Sequence, residues 1–488
     1  MSEPEAKDLL AERREKLDRL RESGTDPFPH DFPDREEIGT VIEAHGGLAA
    51  GEETDQVHTV AGRVVGKRGH GKVVFLDLRD QTGTIQVLAG SDRLPGESFE
   101  ALDLVDLGDF VGATGRALAT KRGELSLEAS DWRMLAKSLR PPPDKFHGLE
   151  DVETRHRRRE LDLIANEATR EVFRVRTRTI AEIRRQLDDQ GFFEVETPGL
   201  QPLYGGALAR PFTTHHNALD REFYLRIATE LYLKRCVVGG IEKVYEIGKD
   251  FRNEGVSPKH NPEFTMLEWY EAYADYEKTA ADLEYLVAGV AEAVLGTTVV
   301  ERDGESIDLA PPWERVTLRD AIFEATGIDI EKERSLEALA GAIGVEPEAG
   351  IGWGKLVDDL FSKRVEPTFV RPTFVMDYPV ELSPFAKDHR SKEGVVERWE
   401  AFVAGMEIAN SFTELNDPDE QRRRFEQQAA ELAGGDEEAQ PYDESFVEAL
   451  EQGMPPTGGV GLGIDRLVMV LSGAPSVREV VLFPAMRD

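Results

Sequence analysis

Residues 251–270 read FRNEGVSPKHNPEFTMLEWY. The runs on either side of its loop, KVYEIGKDFRNEG and EFTMLEWYE, alternate apolar and polar residues, so the spacing predicts two antiparallel strands joined by a Gly- and Pro-containing turn. Side chains two apart share a sheet face, which puts Arg252 and Glu254 together on the first strand. By the same rule Phe264, Met266, Glu268 and Tyr270 share a face of the second. Such a face combines a guanidinium fork, carboxylates and an aromatic platform, and Lys259 and His260 reach over it from the loop. A chain of formal charge −35 thus places cations on a hairpin, and a polyphosphate is an anion they fit. An exposed hairpin with ordinary cross-strand pairs gives the same pattern, so the rest of the chain has to decide.

Near the C-terminus, PPTGGVGLGIDRLVMVLSG predicts a Gly-rich strand followed by a helix starting near Asp465. Its glycines permit close approach of a ligand or of another backbone, and Arg466 in the first helical turn can reach phosphate. Between these segments, RWEAFVAGMEIANSFTELND carries Glu400, Glu407 and Glu414 at seven-residue spacing, with Asn410 and Phe412 between the last two. Gly, Asn and β-branched residues favour a strand with an irregular break over a helix. The glutamates read either as solvated acids or as oxygen ligands for Mg²⁺ on a triphosphate, with one carboxylate left for a cationic substrate.

These segments resemble a known family. FRNE…HNPEFT, GLGIDR and GFFEVETP are similar to motifs 2, 3 and 1 of the class II aminoacyl-tRNA synthetases. More narrowly, RPPPDKFHGLED, HHNALD, YLRIATELYLKR, VVGG, SFTELND and GLGIDRLVM resemble the lysyl-tRNA synthetases, and the likeness runs from about Val57 to Asp488. The resemblance implies that lysine and Mg·ATP react to lysyl-adenylate and pyrophosphate, and that lysine then passes to the 3′ end of tRNA-Lys. It implies Arg252 at the lysine carboxylate and the α-phosphate, Glu254 at the adenine amino group and Phe264 stacked on the ring. Arg466 would cover the other adenine face and reach the γ-phosphate, His260 would lie near the phosphates, and Glu400 and Glu407 would hold Mg²⁺. The substrate's side-chain ammonium would meet Glu414, with Glu268 and Tyr270 beside it and Phe412 along the alkyl stem. Gly206 and Glu230 would hold the α-amino group, and Asn410 would assist at the carboxylate. Two departures stand out: Glu160 replaces the usual aromatic before LDLI, and GNGFSELN appears as ANSFTELN.

From Val57 to Leu139 short β-type segments separated by Gly-containing turns predict a closed barrel of about five strands. It resembles the OB-fold anticodon-binding domain of the same subclass, which implies Phe75 and Gln86 as base-stacking and base-reading residues, with Arg68 and Glu124 as further contacts. A paralogue that lysylates protein would lack this barrel, and a non-catalytic lysine scaffold would need neither arginine. The remainder mixes helices and strands without regular alternation, so the fold class expected is α+β, a barrel followed by a catalytic domain on an antiparallel sheet flanked by helices. The divisions expected are a charged helical extension over 1–56, the barrel over 57–140, a linker over 141–160 and the catalytic domain over 161–488, with a helical insertion around 280–370. One basic helix is expected from Glu153 to Leu187, whose Arg155, Arg157, Arg158 and Arg159 either touch tRNA or form a solvated face. A homodimer through the motif 1 helix and Pro198 is implied by the resemblance.

Composition bounds the rest. The 488 residues suit two or three domains with a real core, since 40% are hydrophobic. The start, MSEPEAKDLLAERREKLDRLRESG, reads as an exposed charged helix without an export signal, and no run is apolar enough for a membrane span, so a cytoplasmic protein is expected. A lone cysteine, Cys236, excludes an internal disulfide and a Cys-based zinc site and reads as a buried structural thiol. Asp and Glu number 94 against 59 Lys and Arg, spread along the chain, which favours an acidic surface suited to a very salty cytoplasm over a cation-seeking metal protein.

Overall fold

The computed structural model describes residues 3–143, 149–346, 352–434 and 439–486. The chain divides into two compact units, Met1–Arg155 with Glu160–Asn166, and His156–Arg159 with Glu167–Asp488. Of the expected linker, residues 144–148 lie outside the described residues.

In the first unit five strands, Glu53–His70, Val73–Arg79, Thr84–Gly90, Phe110–Ala119 and Leu125–Ala136, close a barrel in the order first, second, third, fifth, fourth. Period-two alternation decides its inside: Val74, Leu76 and Leu78 are buried, while Val73, Phe75, Asp77 and Arg79 between them are only half-buried. The long first strand bends at a bulge between Val64 and Gly66, where a side chain on Gly66 would collide with the Asp77 carboxylate. The helix Glu3–Glu22, expected to be exposed, is tied down on one side. Its Leu17 and Leu20, three apart and so on one face, are buried, and its Arg13 donates to the carbonyls of Ser138 and Leu107 at 2.9 and 3.0 Å.

The single basic helix expected from Glu153 is three: Val152–Arg157, Arg159–Ala165 and Glu167–Asp189. Arg159 is not on a solvated face; it is fully buried and donates to the carbonyls of Leu482 and Arg478 at 2.9 and 2.6 Å. A buried guanidinium needs such acceptors, and composition alone does not reveal them.

The second unit is built on an eight-stranded sheet in the spatial order Glu314–Thr317, Thr373–Pro379, Val395–Val403, Met406–Thr413, Thr457–Gly463, Glu263–Ala272, Lys243–Phe251 and Phe193–Glu194. The two outermost pairings are parallel and all inner ones antiparallel. This is the α+β class. The helices Glu167–Asp189, Tyr276–Leu295 and Ile464–Ser472 pack on one face, where Ile183, Leu283, Val287 and Leu467 meet Leu267, Trp269, Trp399, Val460 and Leu462 in one buried cluster. The middle helix is stopped at both ends: Asp275 accepts from the backbone N–H groups of Glu277 and Lys278, and Gly296 ends it in the left-handed region at φ 76°.

The segment 280–370 is mixed rather than helical, and 347–351 of it lie outside the described residues. It starts inside the core helix Tyr276–Leu295, adds the hairpin Val299–Arg302/Glu305–Asp308 and supplies the sheet's edge strand Glu314–Thr317. Only then do the helices Leu318–Thr326, Leu336–Ile343 and Trp353–Arg364 form, around a cluster in which Leu339, Leu356 and Leu360 meet the strand residues Val375, Val396 and Phe402. Among the described residues no helix is long and apolar enough to cross a membrane.

Candidate active site

The sheet's other face is set by register. Glu400 pairs with Asn410, Asn410 with Gly461, and Gly461 with Glu268. One row along, Arg398 pairs with Phe412, Phe412 with Gly459, and Gly459 with Tyr270. The two glycines of the central strand thus leave a floor between functional side chains on both sides. The irregularity read near Gly405 is a tight hairpin, Val395–Val403 against Met406–Thr413, with a register shift after Ala401.

Two cavities open on this floor. One, of about 820 Å³, is lined by Arg252, Glu254, Lys259, His260, Phe264, Glu407, Gly463 and Arg466 among others. The second, of about 960 Å³, is lined by Gly206, Glu230, Glu268, Tyr270, Arg398, Glu400, Phe412, Glu414 and Gly459. Arg252, Met266, Glu407, Asn410 and Gly461 line both, so the two adjoin. Every residue singled out for nucleotide, lysine and Mg²⁺ contact lines one or the other.

The strand pairing ends at Phe251 opposite Glu263, so Arg252 and Glu254 lie in the loop and not on the strand. Arg252 is nevertheless fixed: its backbone N–H donates to the Pro262 carbonyl at 2.9 Å, and its guanidinium stands 5.1 Å from the Phe264 ring centroid. His260 bridges Ser257 and Arg466, with Nδ1 2.8 Å from Ser257 Oγ and Nε2 3.2 Å from Arg466 Nη2. Arg466 can only donate, so Nε2 accepts and the imidazole is neutral there. Burial, then the Arg466 cation, holds its pKa below the ordinary histidine value. Arg466 also donates to the carbonyl and the carboxylate of Glu407, at 2.8 and 3.0 Å.

The inner cavity is acidic. Glu230, Glu268, Tyr270 and Glu414 are all buried. Burial, followed by the charges of Asp250 and Glu230, pushes Glu268 up to about 8. Burial also pushes Glu414 up to about 8, against the pull of Lys234. Glu268 accepts from the Thr229 N–H at 3.2 Å and from the Tyr270 hydroxyl at 3.1 Å, whereas Glu414 Oε1 has no hydrogen-bond partner. Glu400 is engaged by the Tyr378 hydroxyl at 2.8 Å and by Arg398, and burial pushes it up to about 7. Arg398 in turn donates to the Leu382 carbonyl and to Ser383 Oγ, so this cation is spoken for.

Sequence reasoning missed several members. Lys234 is fully buried, with Nζ 2.6 Å from Glu230 Oε1 and 2.5 Å from Glu414 Oε2; its place four residues after Glu230 on a helix was the available signal. Asp465 accepts the Thr265 N–H at 2.9 Å and pairs with Arg176 at 2.5 Å, which anchors the first turn that carries Arg466. Lys259, which the sequence already placed over this face, is held by Glu366 and the Gly405 carbonyl, at 2.8 and 2.7 Å. Cys236 is half-buried.

Comparison with known proteins gives the family. The pattern of the tRNA synthetases class II (D, K and N) matches residues 151–487. The chain belongs to that family. An OB-fold nucleic acid binding domain matches residues 58–135, over the barrel. Similar proteins of this synthetase family include the lysine--tRNA ligases of Moorella thermoacetica, 50% identical over 98% of both chains, and of Bacillus subtilis, 49% identical over 99% of this chain and 98% of the relative. The lysine--tRNA ligase of Synechococcus sp. strain CC9605 is 51% identical over 98% and 97%. The reading of the acidity as salt adaptation is not borne out by these comparisons.

On the barrel of this synthetase, Arg68, Gln86 and Glu124 line one hollow, together with Asp77 and Arg79. Phe75 is not among its lining residues; it stands half-buried opposite Arg68 in the strand pairing. Arg68 bonds Asp77 at 3.0 Å, and the buried Gln86 accepts from Ser126 Oγ at 3.0 Å, which fixes its amide.

Proposed function

We propose that this chain charges tRNA-Lys with L-lysine in two ATP-dependent steps. The observation that carries the reading is the unpartnered Oε1 of the buried Glu414, in a cavity with Glu230 and Glu268 that adjoins the one Arg252 and Arg466 line. Stripping water from an ammonium is unfavourable unless a carboxylate meets it, and three buried acids are matched to a cationic side chain. An aspartate side chain would meet these acids and find Lys234 and Arg398 already engaged by Glu230, Glu414 and Glu400.

In this reading Arg252 holds the lysine carboxylate against the α-phosphate, and a carboxylate oxygen attacks Pα as the bond to the β-phosphate oxygen breaks and pyrophosphate leaves. Phe264 stacks on adenine, Glu254 accepts from its amino group, and Arg466 covers the opposite face and reaches the γ-phosphate. Neutral His260 keeps Arg466 aimed and lies at the phosphates. Glu230 and the Gly206 backbone take the α-amino group, Asn410 the carboxylate, and Phe412 packs along the stem beside Tyr270 and Glu268. Positioning and fixed charge supply the rate enhancement, with no protein nucleophile. In the second step a ribose hydroxyl of the tRNA 3′ end attacks the lysyl carbonyl and AMP leaves.

Glu400 and Glu407 would hold Mg²⁺: both line one cavity, where Asn410 Oδ1 is buried without a partner, and the ion would compete with Arg398 for Glu400 and with Arg466 for Glu407. Two carboxylates plus phosphate oxygens are the usual donor set, and the ion would neutralise charge on the leaving pyrophosphate. The barrel, through Phe75, Gln86, Arg68 and Glu124, reads the anticodon by stacking and edge hydrogen bonds. A homodimer through the motif 1 region and Pro198 accords with the exposed Phe193 and Leu200 flanking that proline. In this reading the protein works in the cytoplasm. The test is charging of tRNA-Lys with labelled lysine alongside lysine-dependent pyrophosphate exchange: both are expected. Exchange without charging would redirect the reading to another lysyl acceptor, and absence of both would end it.

A further inference from the structure

Among the described residues, Lys234 is the lysine held directly between two of the three acids of the inner cavity, and the chemistry above does not use it. It stands on the helix Glu230–Val238, fully buried, its Nζ 2.6 Å from Glu230 Oε1 and 2.5 Å from Glu414 Oε2, with the Phe385 ring 5.2 Å away. Its contact with Glu414 is an ion pair outside hydrogen-bond alignment, so Oε1 stays available. The titratable and charged groups around this cluster are Glu230 on its own helix, Glu268 and Tyr270 on one strand, Asp250 on the next, Arg398 across the sheet, and Glu414.

We propose that Lys234 is a positioning residue for the amino-acid substrate: fixed between Glu230 and Glu414, its ammonium offsets one of three buried carboxylates and leaves two to match the two ammonium groups of a diamino acid. The inference rests on reading this cavity as the lysine site. Free lysine brings an α-ammonium, a side-chain ammonium and a carboxylate, and the carboxylate is met by Arg252 outside the acid cluster. With Lys234 in place, all three glutamates can be ionised when substrate is bound, and each carboxylate has a cation. Without it the third must keep a proton or stand buried and unpaired. Burial works against the Lys234 charge, but Glu230 and Glu414 more than offset it and raise its pKa above the ordinary lysine value. Selection then works by charge count: a side chain of the same length without its amine leaves a carboxylate unmatched.

The effect appears in how lysine binding depends on pH. Calorimetric titration of the full-length protein with lysine and, separately, with ATP from pH 6.5 to 9.5 tests it, using wild type, Lys234→Met and Lys234→Arg. In wild type, lysine affinity should rise with pH and level off near pH 8, as Glu268 and Glu414 give up their protons, and then fall where the substrate's own α-ammonium loses its proton. Lys234→Met should weaken lysine binding at least tenfold at pH 7.5, leave ATP within about twofold, and move the levelling upward by about one pH unit. Lys234→Arg, which keeps the charge, should restore the wild-type levelling. If Lys234→Met does not bind ATP and so is not folded, Lys234→Gln carries the same comparison. An unchanged lysine affinity and levelling point in a variant that binds ATP overturns the proposal, as does an equal loss of lysine and ATP. Wild-type protein that binds ATP but not lysine would instead refute the function proposed above.

Discussion

Replacing Glu414 by Gln removes the charge that the account assigns to the substrate's side-chain ammonium while keeping the side chain's size. A carboxylate and an ammonium about 3 Å apart attract by about 5 kcal/mol at an effective dielectric constant of about 20. Glu230 and Glu268 remain in the cavity and share the load, so we put the net loss at about 3 kcal/mol, or about 150-fold in the lysine Kd. Lys234 keeps its 2.6 Å contact to Glu230, so the fold should hold. Glu414 does not line the cavity assigned to ATP, and the ATP Kd should change by less than about twofold. The pH dependence should change as well. Burial holds Glu414 and Glu268 near 8, so in wild type protons must leave as lysine binds, and affinity falls as pH drops below 8. Glu414→Gln removes one of these protons and flattens that slope. Isothermal titration at pH 6.5, 7.5 and 8.5 measures all three quantities. Equal loss of lysine and ATP affinity, or an unchanged pH slope, would refute the reasoning.

Two further perturbations separate the parts of the molecule. A side chain on Gly459 would collide with Glu414 Oε1 and the Tyr270 ring in a central strand with little room to move, so Gly459→Ala should raise the lysine KM at least tenfold and cost about 1–3 kcal/mol of stability by overpacking; melts and exchange kinetics check this, and an unaltered KM would contradict it. Phe75→Ala on the barrel should lower kcat/KM for tRNA charging by about 5- to 150-fold, the worth of one stacked base, with lysine-dependent pyrophosphate exchange unchanged; loss of exchange would show a role in folding instead.

The hairpin at 251–270 was legible because period-two alternation fixes which side chains share a face, and Phe264, Glu268 and Tyr270 do line the floor. What alternation could not show is where pairing stops: Arg252 and Glu254 lie just past the last paired residue, held by the Pro262 carbonyl. The barrel was legible for the same reason, as Val74, Leu76 and Leu78 turn inward. Buried charge was not legible. Arg159, Lys234 and Asp465 look like surface residues in the sequence, and each is buried because a partner distant in the chain satisfies it: Leu482, Glu414 and Arg176. The segment 280–370 misled because its acidic, alanine-rich composition suggests helix, while the edge strand Glu314–Thr317 forms only by pairing with Thr373–Pro379.

Norleucine offers the decisive comparison, since it keeps lysine's straight stem and lacks the terminal amine. Measured by amino-acid-dependent pyrophosphate exchange, lysine should exceed norleucine in kcat/KM by at least about a thousandfold, the penalty for leaving buried carboxylates without a cation. Comparable rates for the two would mean that Glu230, Glu268 and Glu414 do not select a charged side chain.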